Sequence, residues 1–345
     1  PTWIQSKSHE PGKWSANDDL EMAWEVSTDA DCGIVFYELV WTQGDQPPAL
    51  PWTTGVTDAA YTVAGLADGA DWWFHAWARD GSVNYVQDYL SAGPYRIDTT
   101  PPGDPQVDAS PPPSQWTNQT GLSLGWTGAV DEGSGLAGYR WLLDQNPAGD
   151  PSAALVKPDS FRVFGPLPEG ESWFHLSPVD AVDNTGPPQH VGPFLVDLTR
   201  PSGEILNPAV GSLLHHTDLV TIDWNATDAL SGVAWIRLSW SPDGYATLYP
   251  IAEGSAVQMG SSFNWTVPFV EEGQLWLRMV LEDGAGNQAV VEQPAPYTVT
   301  RAVGVDGPVG AVPERLVLGR NVPNPFNPQT EISYGVPAEG PVRLV

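Results

Sequence analysis

The feature that most constrains this chain is a repeat with a period near 100 residues, each copy marked by a tryptophan in an alternating run. The runs are LEMAWEV around Trp24, LSLGWTG around Trp126 and VTIDWNA around Trp224. An acidic turn comes next in every copy: DADCG from Asp29, DEGSG from Asp131 and DALSG from Asp228. A second alternating run follows each turn, IVFYELVW from Ile34, LAGYRWLL from Leu136 and VAWIRLSW from Val233. Later come WWFHAWARD, SWFHLSPVD and LWLRMVLED, each ending on an acid that stands four residues before an asparagine. Those pairs are Asp80/Asn84, Asp180/Asn184 and Asp283/Asn287. The copies close with GPYRID to Asp98, GPFLVD to Asp197 and APYTVT to Thr300, and proline-rich joints follow the first two. A chain with such self-similarity builds one structural unit several times.

Short runs of period two, separated by Gly, Pro, Asp and Asn, predict an all-β sandwich in each copy. The 35 Gly and 35 Pro exclude a bundle of long helices, which tolerate neither residue. Seventeen tryptophans exclude a disordered chain, which lacks large apolar groups. Trp24, Trp126 and Trp224 fit inward core positions, each indole N–H wanting one partner. Aromatics outside that register, Trp52, Trp72 and Trp77, are the better places to seek a sugar-stacking platform. The boundaries expected are 1–98, 99–198 and 199–300 for three repeats. A linker over 301–316 and a partial module over 317–345 follow.

Forty-two acids stand against 14 bases, a formal net charge of −28. So acidic a chain has no electrostatic reason to approach nucleic acid or an anionic membrane surface. No apolar stretch approaches the ~20 residues of a membrane span. The single cysteine, Cys32, can form no intramolecular disulfide. The chain opens at Pro1 with no signal peptide and reads as a processed product or a fragment.

Enzymatic motifs are absent: there is no G-x-S-x-G, H-E-x-x-H or phosphate-binding glycine loop. His75 and His175 occupy equivalent repeat positions, with Arg278 in the third copy, and read as structural. His215 and His216 are adjacent, so on a strand they point to opposite faces and cannot easily share one zinc. The one constellation with chemistry is acidic. In a sandwich of this kind the turn after the tryptophan strand and the loop before the last strand meet at one end. That groups Asp29 and Asp31 with Asp80, Asp131 and Glu132 with Asp180 and Asp183, and Asp228 with Asp283. The joint acids Asp98 and Asp197 enter beside the second and third groups. Two readings stand: Asp and Asn terminating turns through their own side chains, or hard oxygens converging on Ca²⁺, which takes 6–8 of them.

The W…D-x-x-(S)-G and W-F-H…D-x-x-x-N pattern with proline joints resembles the Ig-like or fibronectin-III-like repeats of bacterial secreted and surface proteins. The resemblance covers about residues 1–300. It implies tandem Ig-like/fibronectin-III-like β-sandwiches in an elongated array, outside the cell or on its surface. From Leu318 the string LGRNVPNPFNPQTEISYGVPAEGPVRLV resembles the start of the C-terminal sorting module of type IX secretion, itself Ig-like. The matching residues are Asn321, Pro323, Asn324, Pro325, Phe326, Asn327, Pro328, Thr330, Ile332, Tyr334, Pro337, Gly340, Val342 and Leu344. Two strands of that module are present. The resemblances imply a structural or adhesive protein without catalysis. It would be a filament subunit assembling by strand addition, or would present its surface to a glycan or protein. The alternative is a non-catalytic stalk, or carbohydrate-binding accessory region, of a larger secreted hydrolase.

Overall fold

In the computed structural model, the residues described are 2–28, 34–52, 54–82, 84–85, 88–152, 161–270, 273–300, 317–318 and 334–335. The chain is all-β, a tandem of β-sandwiches, with one short helix, Ala256–Met259, among these residues. It divides into two compact units, Pro1–Gln115 with Thr120–Leu195, and Trp116–Gln119 with Val196–Val345.

The first unit holds the first repeat and most of the second. In repeat one a small sheet runs Ile4–Ser6, Leu20–Trp24, Ala60–Val63. The facing sheet runs Trp14–Ser15, Leu90–Ile97, Gly69–Asp80, Ile34–Gln43, Thr54–Val56. Non-consecutive neighbours in both sheets make this a Greek-key sandwich. Period-two patterning decides which side chains meet between the sheets: Leu20, Met22 and Trp24 from one, Tyr37, Leu39, Phe74, Tyr95 and Ile97 from the other. Repeat two repeats the plan, with Phe161–Phe164, Leu122–Thr127 and Gln106–Ser110 in one sheet. Its other sheet contains Gln189–Val196, Gly170–Asp180 and Leu136–Asp144 in that order.

In the second unit the small sheet is Ser202–Asn207, Leu219–Thr227, Ser262–Thr266. The larger sheet runs Leu213–His215, Tyr297–Thr300, Gly273–Asp283, Val233–Ser241, Tyr249–Ser255, and Gln288–Glu292 also pairs with Gly273–Asp283. The strand Gly273–Asp283 alternates perfectly, burying Leu275, Leu277, Met279 and Leu281. Further along, Val317–Leu318 pairs antiparallel with Tyr334–Gly335. The other residues that match the sorting module, Asn321, Pro323, Asn324, Pro325, Phe326, Asn327, Pro328, Thr330 and Ile332 among them, lie outside the described residues.

Trp24, Trp126 and Trp224 are each 2% exposed. The expected partner for the indole N–H is not there: none of the three Nε1 atoms has an acceptor. The neighbours are rings instead. Trp24 meets Tyr37 edge-on and stacks on Phe74, and Trp126 meets Tyr139 and Phe174 in the same two ways. Quadrupolar contact of this kind offsets part of what the unpaired N–H costs.

One irregularity recurs and positions the site. Every strand after an acidic turn shifts register at its first residues, at Ile34/Phe36, Leu136/Gly138 and Val233/Trp235. The residue before each bulge is the one paired with Asp80, Asp180 or Asp283. A bulge bends the strand and re-aims its start, and in repeats two and three the turn meets the aspartate that ends the neighbouring strand.

Candidate functional site

The aspartate–asparagine pairs are the scaffold of the site. Asp180 Oδ1 accepts the backbone N–H groups of Val182 (2.8 Å) and Asn184 (2.8 Å), and its Oδ2 accepts Asn184 Nδ2–H at 2.6 Å. The backbone N–H of Asp180 donates to Asn184 O, closing the loop in both directions. Asp283 and Asn287 make the same set, and so do Asp80 and Asn84. Such side-chain-to-backbone bonds are what Asp and Asn supply at turns.

In repeat two the clamp holds more than its own loop. Asn184 Nδ2 also donates to the carbonyl of Asp98, the last residue of repeat one, at 2.8 Å. The Asp98 carboxylate is driven into the acidic turn of repeat two, accepting Ser134 N–H at 2.6 Å. A Cβ on Gly133 would lie 2.5 Å from that carboxylate, so any larger residue here would displace Asp98 from the turn. Asp98 and Asp180 are each 1% exposed. Asp131 completes the group, its Oδ1 accepting Gly135 N–H at 2.6 Å. One oxygen from each of Asp98, Asp131 and Asp180 lies within 4.8 Å of the others.

The second unit builds a near copy. Asp197, Asp228 and Asp283 place oxygens within the same 4.8 Å. Ser231 donates to Asp197 Oδ2 through both N–H (3.1 Å) and Oγ–H (2.6 Å), and Asn287 Nδ2 donates to Asp197 O at 2.9 Å. Asp228 Oδ1 accepts Gly232 N–H at 2.8 Å, while its Oδ2 is buried without a partner.

Three carboxylates this close repel one another. Burial raises the Asp131 carboxyl above its ordinary value, the Gly135 N–H opposes that, and the charges of Asp98 and Asp180 push it further up. No cationic side chain joins either set of three as an ion-pair partner among the described residues. The donor set is all oxygen, which suits a hard divalent cation.

Two expected members are elsewhere. Glu132 is exposed and outside the cluster. Asp183, in a left-handed turn position (φ 70°), is 83% exposed and reaches Arg140 at 3.6 Å. The clamp spends Asp180 on the loop interior, and the turn throws Asp183 outward. Asp29 and Asp31 lie outside the described residues.

Of the aromatics considered for a sugar platform, Trp52 is buried and Trp72 and Trp77 are half-buried. Trp52 is 7% exposed, donates Nε1–H to Pro48 O at 2.9 Å, and packs on Trp77 and Tyr89. Trp72 donates its Nε1–H to Ala67 O at 2.8 Å. Trp52 also covers a buried carboxylate that nothing in the sequence advertises. Glu38 accepts Trp52 N–H at 3.2 Å and Tyr85 Oη–H at 2.8 Å, with Arg79 at 3.6 Å. Nearby, His75 is buried between Thr42 Oγ1 (2.9 Å) and Ser91 Oγ (2.7 Å), and burial pulls its imidazole down to about 4.

No family model matches the chain, and no curated protein matches it. Among solved structures, the fibronectin(III)-like modules of Clostridium thermocellum CbhA align at 14% identity and a TM-score of 0.32. They cover 59% of this chain and 98% of that one. The FN1–FN3 domains of chicken CNTN1 align at 12% identity and a TM-score of 0.26, covering 84% of this chain and 97% of that one.

Proposed function

We propose that this chain is a structural or adhesive element of a secreted or cell-surface protein, its modules stiffened where a joint aspartate is locked into the following repeat. The observation that carries this reading is the capture of Asp98. Its carbonyl and carboxylate are both held by repeat two, through Asn184 Nδ2 and Ser134 N–H. A flexible linker would leave that residue in water. A hard cation, Ca²⁺ above all, would complete Asp98, Asp131 and Asp180, and likewise Asp197, Asp228 and Asp283. It would relieve the repulsion and supply the unpartnered Asp228 Oδ2.

The test is calcium addition and chelation on the full chain, read by calorimetry and small-angle scattering. Calcium at 100 times its Kd stabilises the folded state by about 2.7 kcal/mol per site. Melting should therefore fall on chelation, and Asp98→Asn together with Asp197→Asn should remove the calcium response. Identical melting and scattering with and without chelator would overturn the cation. The two-stranded ladder of Val317–Leu318 with Tyr334–Gly335 supports a finer reading, assembly into filaments by strand addition. Deleting residues 317–345 should then abolish polymerisation, and an intact chain that stays monomeric at high concentration would refute it.

A further inference from the structure

Repeat two carries a second cluster, centred on two histidines. His175 is fully buried, and its Nε2 lies 3.1 Å from Asp144 Oδ1. Its Nδ1 lies 2.6 Å from Nδ1 of His190, a residue exposed on the neighbouring strand, with the rings edge-to-face. The loop after Asp144 closes over the pair through Gly149, where a Cβ would sit 2.6 Å from His175 Nε2. Asp144 also accepts Asn146 N–H at 2.9 Å.

The protonation logic follows from Asp144. An ionised carboxylate only accepts, so His175 carries its hydrogen on Nε2 and presents a lone pair at Nδ1. That lone pair faces His190 Nδ1 at 2.6 Å, a distance two bare lone pairs cannot share. A proton bridges them: His190 Nδ1–H donates to His175 Nδ1.

Repeat one shows what the same frame looks like without this chemistry. Val40 pairs with His75 as Leu142 pairs with His175, so Thr42 corresponds to Asp144. Ser91 and His190 each stand three residues before the proline of the closing strand, Pro94 and Pro193. Thr42–His75–Ser91 is a buried histidine satisfied by two hydroxyls. Asp144–His175–His190 replaces one hydroxyl by a carboxylate and the other by an imidazole.

We infer that Asp144, His175 and His190 form a binding site for a divalent ion of the zinc–copper class, with His175 Nδ1 and His190 Nδ1 as ligands and Asp144 as the positioning residue. Imidazole suits these metals, and a ligating histidine characteristically donates its other N–H to a carboxylate. Two nitrogens on a tetrahedral zinc at about 2.0–2.1 Å stand roughly 3.3 Å apart, so His190 must swing outward by well under 1 Å, which its exposure allows. As the ion binds, the hydrogen of His190 moves from Nδ1 to Nε2. Both ligands stay neutral and no proton is released. Water, or a group from a partner, fills the remaining positions.

The experiment is calorimetric titration of the full chain with Zn²⁺ alone, in excess Ca²⁺ so that the carboxylate clusters do not compete, with Cu²⁺ electron paramagnetic resonance as a second readout. One Zn²⁺ should bind per chain, and Cu²⁺ should show two nitrogen ligands. His190→Ser, which copies the repeat-one residue, should weaken Zn²⁺ at least ten-fold. Asp144→Asn should weaken it roughly 10–100-fold while the two-nitrogen copper spectrum persists, which separates positioning from loss of fold. No Zn²⁺ binding by the native chain, unchanged affinity in His190→Ser, or a copper spectrum without two nitrogens would each overturn the site. The carboxylate clusters play no part in this readout, so failure of the calcium reading leaves it intact.

Discussion

Repeats one and two are the same sandwich carrying different polar groups on the same frame. Tyr37 and Tyr139 are both buried against the tryptophan of the strand before them. One residue further on, repeat one buries Glu38 under Trp52 and Tyr85. Repeat two has the half-exposed Arg140 there, paired with exposed Asp183. The comparison teaches that the inward period of the strands specifies the fold, whereas the outward period is free to carry a buried carboxylate in one copy and a surface cation in the next.

The largest effect should be common to both. Trp126→Ala empties a fully buried aromatic site and should destabilise repeat two by roughly 3–5 kcal/mol, and Trp24→Ala should cost repeat one the same. The check is calorimetric unfolding of the full chain. A change within ~0.5 kcal/mol at either site would mean that the two cores are not equivalent.

Glu38 should separate the repeats. Glu38→Ala leaves Trp52 N–H and Tyr85 Oη without their acceptor and Arg79 without its partner, so it should cost about 3 kcal/mol. Denaturant unfolding followed by tryptophan fluorescence reads this, since the Trp52 backbone N–H donates to the carboxylate. A loss below ~1 kcal/mol would show that water substitutes for Glu38.

The buried histidine of repeat one gives a pH window. His75 titrates near 4 in the fold against an ordinary value of 6.5. The unfolded chain therefore binds the extra proton first, and stability falls as pH drops from about 6.5 to 4 and is flat below. The loss attributable to this group is about 3 kcal/mol at most. It should disappear in His75→Gln, measured as the difference in melting between pH 7 and pH 4.5. A variant with the same pH slope as the native chain would assign the loss elsewhere.

The residues that alternate were legible in the sequence, because burial on a strand follows period two. So were Asp98, Asp131 and Asp180, since proximity in a sandwich follows from which loops share an end. What was not legible depends on side-chain direction within a turn or on pairing across strands. Asp183 is three residues from Asp180, yet the clamp points one inward and the other to solvent. Asp144 and His190 reach His175 only through the lateral order of strands. The available signal was the repeat itself: placing Thr42 over Asp144 and Ser91 over His190 shows two neutral positions turned ionisable together.

The smallest expected effect tests that distinction at Asp183. Its pair with Arg140 spans 3.6 Å, with side chains 83% and 31% exposed, and exposed pairs of this kind contribute typically 0.2–1 kcal/mol. Asp183→Ala should shift stability by no more than about 0.5 kcal/mol and leave the calcium response unchanged. Asp180→Asn, which keeps the shape but removes the charge facing Asp98 and Asp131, should abolish the response of that cluster. Chain entropy argues the same way, since Asp183 would have to abandon solvent and its left-handed turn to reach the cluster, whereas Asp180 is already held there by Asn184 from two sides. If Asp183→Ala weakened calcium binding as much as Asp180→Asn, the cation would sit outside the clamp. The joint would then be a rim of exposed acids, not a closed site.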